Sequence, residues 1–182
     1  SVPVAVHGKQ GSWQVIKRMI EGKPVIVPGD GLSLWTLTHN SDFARAFIGL
    51  MGNVHALGET YQVMSEEVLT WNQIHQTIAD ALGVSFRPCY VPSTLLAMAP
   101  AYDFKGALLG DKANSVVFDT SKLRKAVPGY HASMRFDQGV RNTLAYVMHH
   151  QECQSIDVEF DEWCDKVVEI MQEAERKIAR ME

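Results

Sequence analysis

Residues 27–44, VPGDGLSLWTLTHNSDFA, combine residue types that could bind a ligand. A Gly-Asp-Gly turn is followed by a Leu-Trp-Thr-Leu-Thr-His run and then by a predicted helix. Glycine turns that open a helix can hold phosphate, because their backbone N–H groups point at the anion. Here the turn has only two glycines, and residues 32–39 separate it from the helix. The pattern therefore favours a β-turn with Gly31 at positive φ over a phosphate cradle.

Other catalytic and ligand-binding motifs are absent from the sequence. It contains no GxGxxG between a strand and a helix, no GxxxxGK[ST], no GxSxG and no HExxH. No Cys/His pair has zinc-ligand spacing, and the adjacent His149 and His150 would diverge by about 100° on a helix. The remaining histidines are isolated, and only His39 is kept as a candidate, because it ends an apolar run just before a helix. The residues alone therefore predict no catalytic group and no metal site.

Composition narrows the class of protein. The 182 residues are 46% hydrophobic and 21% charged, with a formal net charge of −4, which is ordinary for one globular domain. Scattered basic residues argue against a nucleic-acid partner or an anionic membrane surface. No apolar run of membrane-spanning length occurs, so no membrane association is expected. The three cysteines have no CxxC spacing, which favours reduced thiols in a cytoplasmic protein.

Alternating strands and helices are predicted for the first half of the chain. Strands are expected in KPVIVPG at 23–29 and in GETYQVM at 58–64. Helices are expected over 11–22, 40–53 and 69–84, the last with a Thr70–Gln73 capping box and a stop at Gly83. The second of these helices is expected to be capped by Asn40 or Ser41. Its predicted inner face consists of Phe43, Ala46, Phe47, Leu50 and Met51.

The second half continues in the same style. A strand and a short helix are expected in 87–100, and a strand in 114–118, followed by a helix that Asp119 caps and that ends at or before Pro128. The next helix, over 136–150, should turn Val140, Leu144 and Val147 inward. The final segment has a heptad-like seam, which favours packing on its own domain over binding a partner. The seam consists of Phe160, Cys164, Val167, Met171, Ala174, Ile178 and Met181.

The ordered series G-D-G, SDFA, GETYQVMSEEVLTW and DTSK resembles the C-terminal half of the extended short-chain dehydrogenases/reductases. It looks most like the NAD-dependent epimerase/dehydratase family, which includes the nucleoside-diphosphate-sugar epimerases. The resemblance runs collinearly over residues 3–150. It implies a mixed α/β fold, rich in helix with few short strands, that lacks most of the Rossmann sheet. Residues 1–157 would be the substrate-binding part and 158–182 a long C-terminal amphipathic helix.

The resemblance also implies what this chain lacks. In that family the N-terminal half carries a GxxGxxG cofactor turn and a YxxxK catalytic pair, and neither occurs here. The chain would then be the substrate-recognition half of a larger enzyme that uses NAD or NADP. Alone it is expected to bind no cofactor and to be inactive, with the missing Rossmann half as its partner. The strand at 58–64 would leave an edge exposed, which favours pairing with another chain, such as a homodimer.

The family pattern gives the opening stretch a role in a substrate pocket. By position, Val25, Ile26 and Val27 would line the pocket wall. Trp35 and Thr36 replace an Arg-Asp pair whose arginine grips a diphosphate, and His39 lies just beyond.

A second arginine of the family also has no counterpart, because the corresponding region offers only Lys105. Tryptophan cannot replace the bidentate, charged hydrogen bonds that arginine makes to a diphosphate. The small-molecule substrate is therefore expected to be something other than a typical nucleoside-diphosphate sugar. Trp35 either presents its face to such a ligand or belongs to the core.

The second hypothesis is a protein without catalytic activity. The chain could be a binding or oligomerisation module that uses the heptad-like seam of its C-terminal helix. The sequence does not choose among epimerase, dehydratase and reductase for the parent enzyme.

Overall fold

Seven α-helices and four short strands make up the fold in the computed structural model, which describes residues 2–181. The helices are α1 Trp13–Ile20, α2 Asn40–Leu50, α3 Trp71–Leu82, α4 Ser93–Leu96, α5 Ser121–Ala126, α6 Phe136–His149 and α7 Val158–Ile178. The strands are β1 Val25–Pro28, β2 Leu34–Thr36, β3 Val68–Thr70 and β4 Pro88–Val91. Short 3₁₀ turns cover Val54–Ala56 and Gln151–Cys153, and a π-helical segment covers Lys105–Lys112. The helix-rich fold with few short strands is confirmed.

The strands form two separate two-stranded sheets. β1 pairs in parallel with β4, with Val25 opposite Pro88 and Val27 opposite Tyr90. β2 pairs antiparallel with β3, with Trp35 opposite Leu69. The parallel pair needs a crossover connection, and α2 and α3 lie within it.

Capping and apolar periodicity fix α3 as predicted. The Thr70 hydroxyl accepts a hydrogen bond from the Gln73 backbone N–H, and the Gln73 side chain accepts one from the Thr70 N–H. The helix ends at Gly83, whose φ of 70° provides a left-handed C-cap. Ile74 and Ile78 are completely buried. Both packing and capping therefore hold α3 in the centre of the molecule.

The core forms where α3 meets α6, α1 and the parallel strand pair. Val140, Leu144 and Val147 of α6 face inward as predicted. His75 of α3 is also completely buried and stacks on Phe86 at 5.7 Å between ring centroids. Burial lowers the pKa of His75 to about 4, which makes the neutral imidazole part of the folded core.

The first half of α7 packs on the same core. Phe160, Cys164 and Val168 are buried, whereas Ile178 and Met181 near the end of the seam are 68% and 78% exposed. Burial raises the pKa of the Cys164 thiol to about 12, so it is an apolar core group rather than a nucleophile. The first turns of the seam therefore pack on the chain's own core, as predicted.

Arg18 ties α1 to α7 and to the loop before β1. Its guanidinium is 1% exposed and donates to the Asp161 carboxylate at 2.7 Å and to the Pro24 carbonyl at 2.9 Å. Asp165 lies 2.8 Å away on the following turn of α7. Lys23 reaches the same two carboxylates from the solvent side.

The strands predicted at 58–64 and at 114–118 are wrong within the described residues. Residues 58–64 form no ladder, and β2 pairs instead with β3, a few residues further along the chain. In the second segment one ladder-like bond remains, from the Val116 N–H to the Leu34 carbonyl at 3.1 Å. In the described fold residues 58–64 have no neighbouring strand, and residues 114–118 make too few backbone bonds to β2 to form a ladder.

The predicted inner face of α2 is right for Ala46, wrong for Phe43, Phe47 and Met51, and only partly buried at Leu50. Phe43, Phe47 and Met51 are 49%, 54% and 65% exposed, and the buried side of the helix consists of Asp42 and Ala46. The cap is also one residue earlier than predicted, because His39 rather than Asn40 or Ser41 is the N-cap. The reason is Asp42, whose buried hydrogen bonds determine which side of α2 faces the fold.

None of the helices described within residues 2–181 is both long and apolar enough to cross a lipid bilayer.

Candidate functional site

A cavity of about 700 Å³ opens where the start of α2 meets the first turns of α6. The N-terminal segment closes a third side through Pro3. The other lining residues are Leu37, Thr38, His39, Asn40, Met134, Arg135, Phe136, Gly139, Val140, Asn142, Thr143 and Tyr146. The cavity has the size of a small-molecule site and mixes apolar walls with a few polar groups.

His39 is the one predicted site residue that lines this cavity. Its Nδ1 accepts a hydrogen bond from the Ser41 backbone N–H at 3.3 Å and lies 2.8 Å from the Ser41 hydroxyl. The ring packs against α6, since a Cβ at Gly139 would lie 2.9 Å from His39 Cδ2. Within the described residues Nε2 has no hydrogen-bond partner. Because Nδ1 accepts from the Ser41 N–H, Nε2 carries the ring proton and can donate to a ligand.

Asp42 holds the two sides of the cavity together. Its carboxylate is 1% exposed and accepts from the Ser133 and Met134 backbone N–H groups at 3.2 and 2.9 Å, just before α6. Arg45 donates to the same carboxylate at 2.6 Å. Burial acts to raise the pKa of Asp42, but these hydrogen bonds outweigh it and hold the pKa below its usual value.

Two further side chains, Glu67 and Thr38, connect residues 65–67 to the two elements that form the cavity. The Glu67 carboxylate accepts from the Phe136 N–H at 2.7 Å and so satisfies an otherwise free donor at the start of α6. The Thr38 hydroxyl accepts from the Ser65 N–H at 2.9 Å. Residues 65–67 are thereby fixed between the approach to α2 and the start of α6.

Replacing Asp42 by alanine is expected to lower the free energy of unfolding by about 2 kcal/mol, because the Ser133 and Met134 amides lose their charged acceptor. The Asp42→Asn variant keeps the shape and should lose less. Urea unfolding followed by circular dichroism measures the difference. Asp137→Ala removes a partly exposed carboxylate near the same helix start and serves as control, with an expected loss below about 0.5 kcal/mol. Equal losses for Asp42→Ala and Asp137→Ala would contradict this role.

The turn of the opening stretch is confirmed as a turn. Gly29 and Gly31 have φ of 64° and 71°, and the Gly31 N–H donates to the Pro28 carbonyl at 3.2 Å. The Asp30 carboxylate accepts from the Leu32 N–H, and Asn72 at the start of α3 donates to the Asp30 carbonyl. These hydrogen-bonding groups are already paired within the turn or with α3. The turn therefore does not have the form of a phosphate-binding loop.

The other predicted site residues lie away from this cavity. Val25, Ile26 and Val27 are 2%, 3% and 0% exposed and are core residues of β1. Trp35 is half-buried and packs on Trp71, with ring centroids 5.5 Å apart and planes tilted by 31°.

Thr36 is 6% exposed, and its hydroxyl has no hydrogen-bond partner in the described part of the chain. Lys105 is exposed at the start of the π-helical segment.

None of the lining residues from α6 and its N-cap was predicted as a site residue, and four of them are polar: Arg135, Asn142, Thr143 and Tyr146. The available signal was a short polar run, Asn142 and Thr143, one turn after a glycine on a helix whose other face is apolar. That signal does not predict that α2 lies across the cavity from α6. This arrangement depends on the hydrogen bonds of Asp42.

Chemically, the cavity offers hydrogen bonds rather than a catalytic group. It presents one free imidazole nitrogen, hydroxyl and amide groups, and the Arg135 guanidinium, which is paired with Asp137 at 2.9 Å. Among residues 2–181 no three His, Cys, Asp or Glu side chains cluster in a way that could hold a metal ion. The arrangement can orient a polar small molecule.

The comparisons with known proteins give two partial sequence relatives. No protein-family model matches the chain. The 2'-dehydrokanamycin reductase of Streptomyces kanamyceticus is 27% identical over 122 residues, which are 67% of this chain and 34% of the reductase. Chloroplast stem-loop binding protein of 41 kDa b from Arabidopsis thaliana is 32% identical over 66 residues, 36% of this chain and 18% of that protein.

Solved structures that match a larger share of this chain than the sequence relatives do have the same fold over the matched part. UDP-glucuronic acid 4-epimerase from Bacillus cereus, in complex with NAD, matches 75% of this chain and 38% of its own, with a TM-score of 0.58 and 17% identity. The dTDP-glucose 4,6-dehydratase of Bacillus anthracis, also with NAD, matches 76% of this chain and 39% of its own, with a TM-score of 0.57 and 19% identity. The chain thus spans about a third of the matched reductase and about two fifths of these structures.

Proposed function

We propose that this chain, which has the fold of part of the NAD-dependent epimerases and dehydratases, is the substrate-recognition half of an NAD(P)-dependent epimerase/dehydratase-like or reductase enzyme. The observation that carries the proposal is the combination of that fold, at a coverage of about two fifths of the neighbours, with the absence of GxxGxxG and YxxxK from the sequence. Catalysis and NAD(P) binding are then assigned to a Rossmann half in the longer protein. A cytosolic location with free thiols is part of the proposal.

The cavity at His39 is proposed as the part of the substrate site that this chain supplies. Its hydrogen-bonding groups suit hydroxyl, keto or amino substituents of a small polar molecule. Val25, Ile26, Val27, Trp35 and Thr36 stay predictions as substrate contacts. In an assay of the longer protein, His39→Ala should raise the KM about tenfold, the value of one hydrogen bond, while the exposed His131→Ala should not.

A typical nucleoside-diphosphate sugar is not the proposed substrate. Trp35 stands where the family places a diphosphate-binding arginine, and it packs against Trp71. The matched reductase is named for a substrate of another kind, 2'-dehydrokanamycin, which agrees with a pocket for a different molecule. The stem-loop binding in the name of the Arabidopsis relative is not transferred, because this chain has a formal net charge of −4 and no basic cluster.

UDP-glucose is therefore expected to bind the longer protein with a Kd weaker than about 1 mM, because the two charged arginine grips are missing. Titration calorimetry with UDP-glucose measures this, and a turnover screen of small ketones and alcohols with NADH and NADPH looks for the substrate. Saturable UDP-glucose binding in the low micromolar range would contradict the substrate assignment. The reading frame upstream of Ser1 tests the function itself: it should encode GxxGxxG and YxxxK.

The alternative of a non-catalytic module based on α7 is less well supported. Phe160, Cys164 and Val168 are buried against this chain's own core, which leaves only the later turns for a partner.

A further inference from the structure

The later turns of α7 carry an apolar stripe that the rest of the described chain leaves largely uncovered. We define the α7 stripe as Val167, Ile170, Ala174, Ile178 and Met181, which recur three and four residues apart. Ile170, Ile178 and Met181 are 63%, 68% and 78% exposed, and the other two are half-buried. An apolar stripe with this spacing is the kind of surface on which a second helix packs.

A groove of about 240 Å³ between α4 and α7 adjoins the α7 stripe. The residues that line it are all apolar or aromatic, and Val167 and Ile170 belong to both the groove and the stripe. Leu95 and Met98 border the groove on α4 and are 52% and 75% exposed. The groove and the stripe therefore form one continuous apolar surface.

Six exposed charged residues lie along one side of the α7 stripe. At 100° for each residue they fall within about 60° of one another around the helix axis. They are Glu159, Glu162, Lys166, Glu173, Lys177 and Arg180. Within residues 2–181 the only ion pair among them joins Lys177 to Glu173 at 2.7 Å, inside the helix. The other four have no oppositely charged partner in that part of the chain.

The order of these charges selects an antiparallel copy of the same helix as the partner. The six residues form three pairs of opposite charge, and each pair is centred on the same point, between Glu169 and Ile170. The pairs are Glu159 with Arg180, Glu162 with Lys177, and Lys166 with Glu173. A second α7, laid antiparallel with a two-fold axis at that point, brings opposite charges together in all three pairs, because equivalent sides of the two helices then face each other. A parallel copy would instead place the acidic start of α7 beside the acidic start of the other helix.

The same arrangement also covers the groove. In this register Ile178 of the second copy lies near Trp163, over the groove that Leu95 and Met98 border. A helix of 21 residues is marginally stable as an isolated segment in water. Here α7 is already folded on its own domain, so pairing does not carry the cost of helix nucleation.

We propose that the α7 stripe and the α4–α7 groove form a symmetric dimer interface, in which α7 of a second copy of this chain packs antiparallel on α7. The inference is independent of the proposed function, because it uses only residues of this chain and no property of the reaction. It accounts for the exposed apolar stripe and for the order of charges beside it.

Sedimentation equilibrium of the 182-residue chain tests the proposal. We expect a monomer–dimer equilibrium with a Kd on the order of 10 μM. Ile170→Asp should raise this Kd at least about 100-fold, because the two-fold axis brings both new carboxylates into the apolar interface.

Ile48→Asp is the matched control for Ile170→Asp. Both isoleucines lie on helices and are 66% and 63% exposed, but Ile48 belongs to α2 and lies outside the proposed interface. This variant should leave the Kd unchanged. Circular dichroism should show both variants folded, because neither side chain is buried.

Charge reversal tests the antiparallel register. Lys166→Glu places a carboxylate against Glu173 of the second copy at two symmetric positions, and it should weaken dimerisation about tenfold. Adding Glu173→Lys reverses both charges and should restore most of the lost affinity.

Three results would overturn the proposal. The first is a chain that stays monomeric at about 100 μM, ten times the expected Kd. The second is dimerisation that Ile48→Asp weakens as much as Ile170→Asp does, because the interface would then lie elsewhere. The third is a double charge reversal that restores no affinity, which would exclude the antiparallel register.

Discussion

Replacing Arg18 by alanine is expected to lower the free energy of unfolding by about 3 kcal/mol, at the lower end of the range for breaking a buried ion pair. The guanidinium is 1% exposed and satisfies the Pro24 carbonyl and the carboxylates of Asp161 and Asp165. Its loss leaves the Pro24 carbonyl without this donor. The lower end applies because Lys23 still reaches both carboxylates and Asp165 is 51% exposed. Urea unfolding followed by tryptophan fluorescence measures the change.

Lys23→Ala is the matched control for Arg18. Lys23 contacts the same Asp161 and Asp165 carboxylates at 2.6 and 3.0 Å, but its side chain is 33% exposed. Exposed ion pairs contribute little, so this variant should lose less than about 1 kcal/mol. If Arg18→Ala cost no more than Lys23→Ala, the attachment of α7 to α1 would not depend on the buried guanidinium.

Acid is expected to destabilise the fold through His75 at a pH where most carboxylates are still ionised. Burial lowers the pKa of His75 to about 4 from the ordinary 6.5, so the folded state holds the neutral ring. Below pH 6.5 the unfolded chain takes up the proton first, and stability is lost as the pH falls from 6.5 toward 4. The loss between pH 7 and pH 4 is about 3 kcal/mol, at 1.36 kcal/mol for each unit of pKa.

Urea unfolding at a series of pH values measures this loss. His75→Gln removes the titrating group and should flatten the dependence between pH 7 and 4.5, whereas His131→Gln, at an exposed position, should leave it unchanged. The pKa values of Asp42, Asp161 and Asp165 are also lowered. The stability that these carboxylates contribute is lost mainly as the pH falls below their ordinary pKa near 3.8, outside the pH window of His75. An unchanged slope in His75→Gln would contradict the assignment.

The sequence predicted the elements whose signals are local. The capping box at Thr70 and the stop at Gly83 define α3 without reference to any other part of the chain. The apolar side of α6 is likewise the side that is buried. The Gly31 turn followed from glycine's conformational freedom, and it is observed.

The errors arose where a pattern depends on a partner. The stripe of Phe43, Phe47 and Met51 predicts a buried face, but periodicity does not identify which surface buries it. Asp42 decided the orientation of α2 through hydrogen bonds to residues 91 and 92 positions later in the sequence. The candidate site shows the same limit: His39 was predicted, whereas the α6 residues opposite it follow only from the fold.

Titration calorimetry of NAD binding, on the 182-residue chain and on the longer protein that contains it, tests whether this chain is only the substrate-recognition half of the enzyme. We expect no saturable binding by the 182-residue chain, which carries no GxxGxxG turn, and one NAD or NADP bound by the longer protein. Saturable binding of the dinucleotide by the 182-residue chain alone would contradict it.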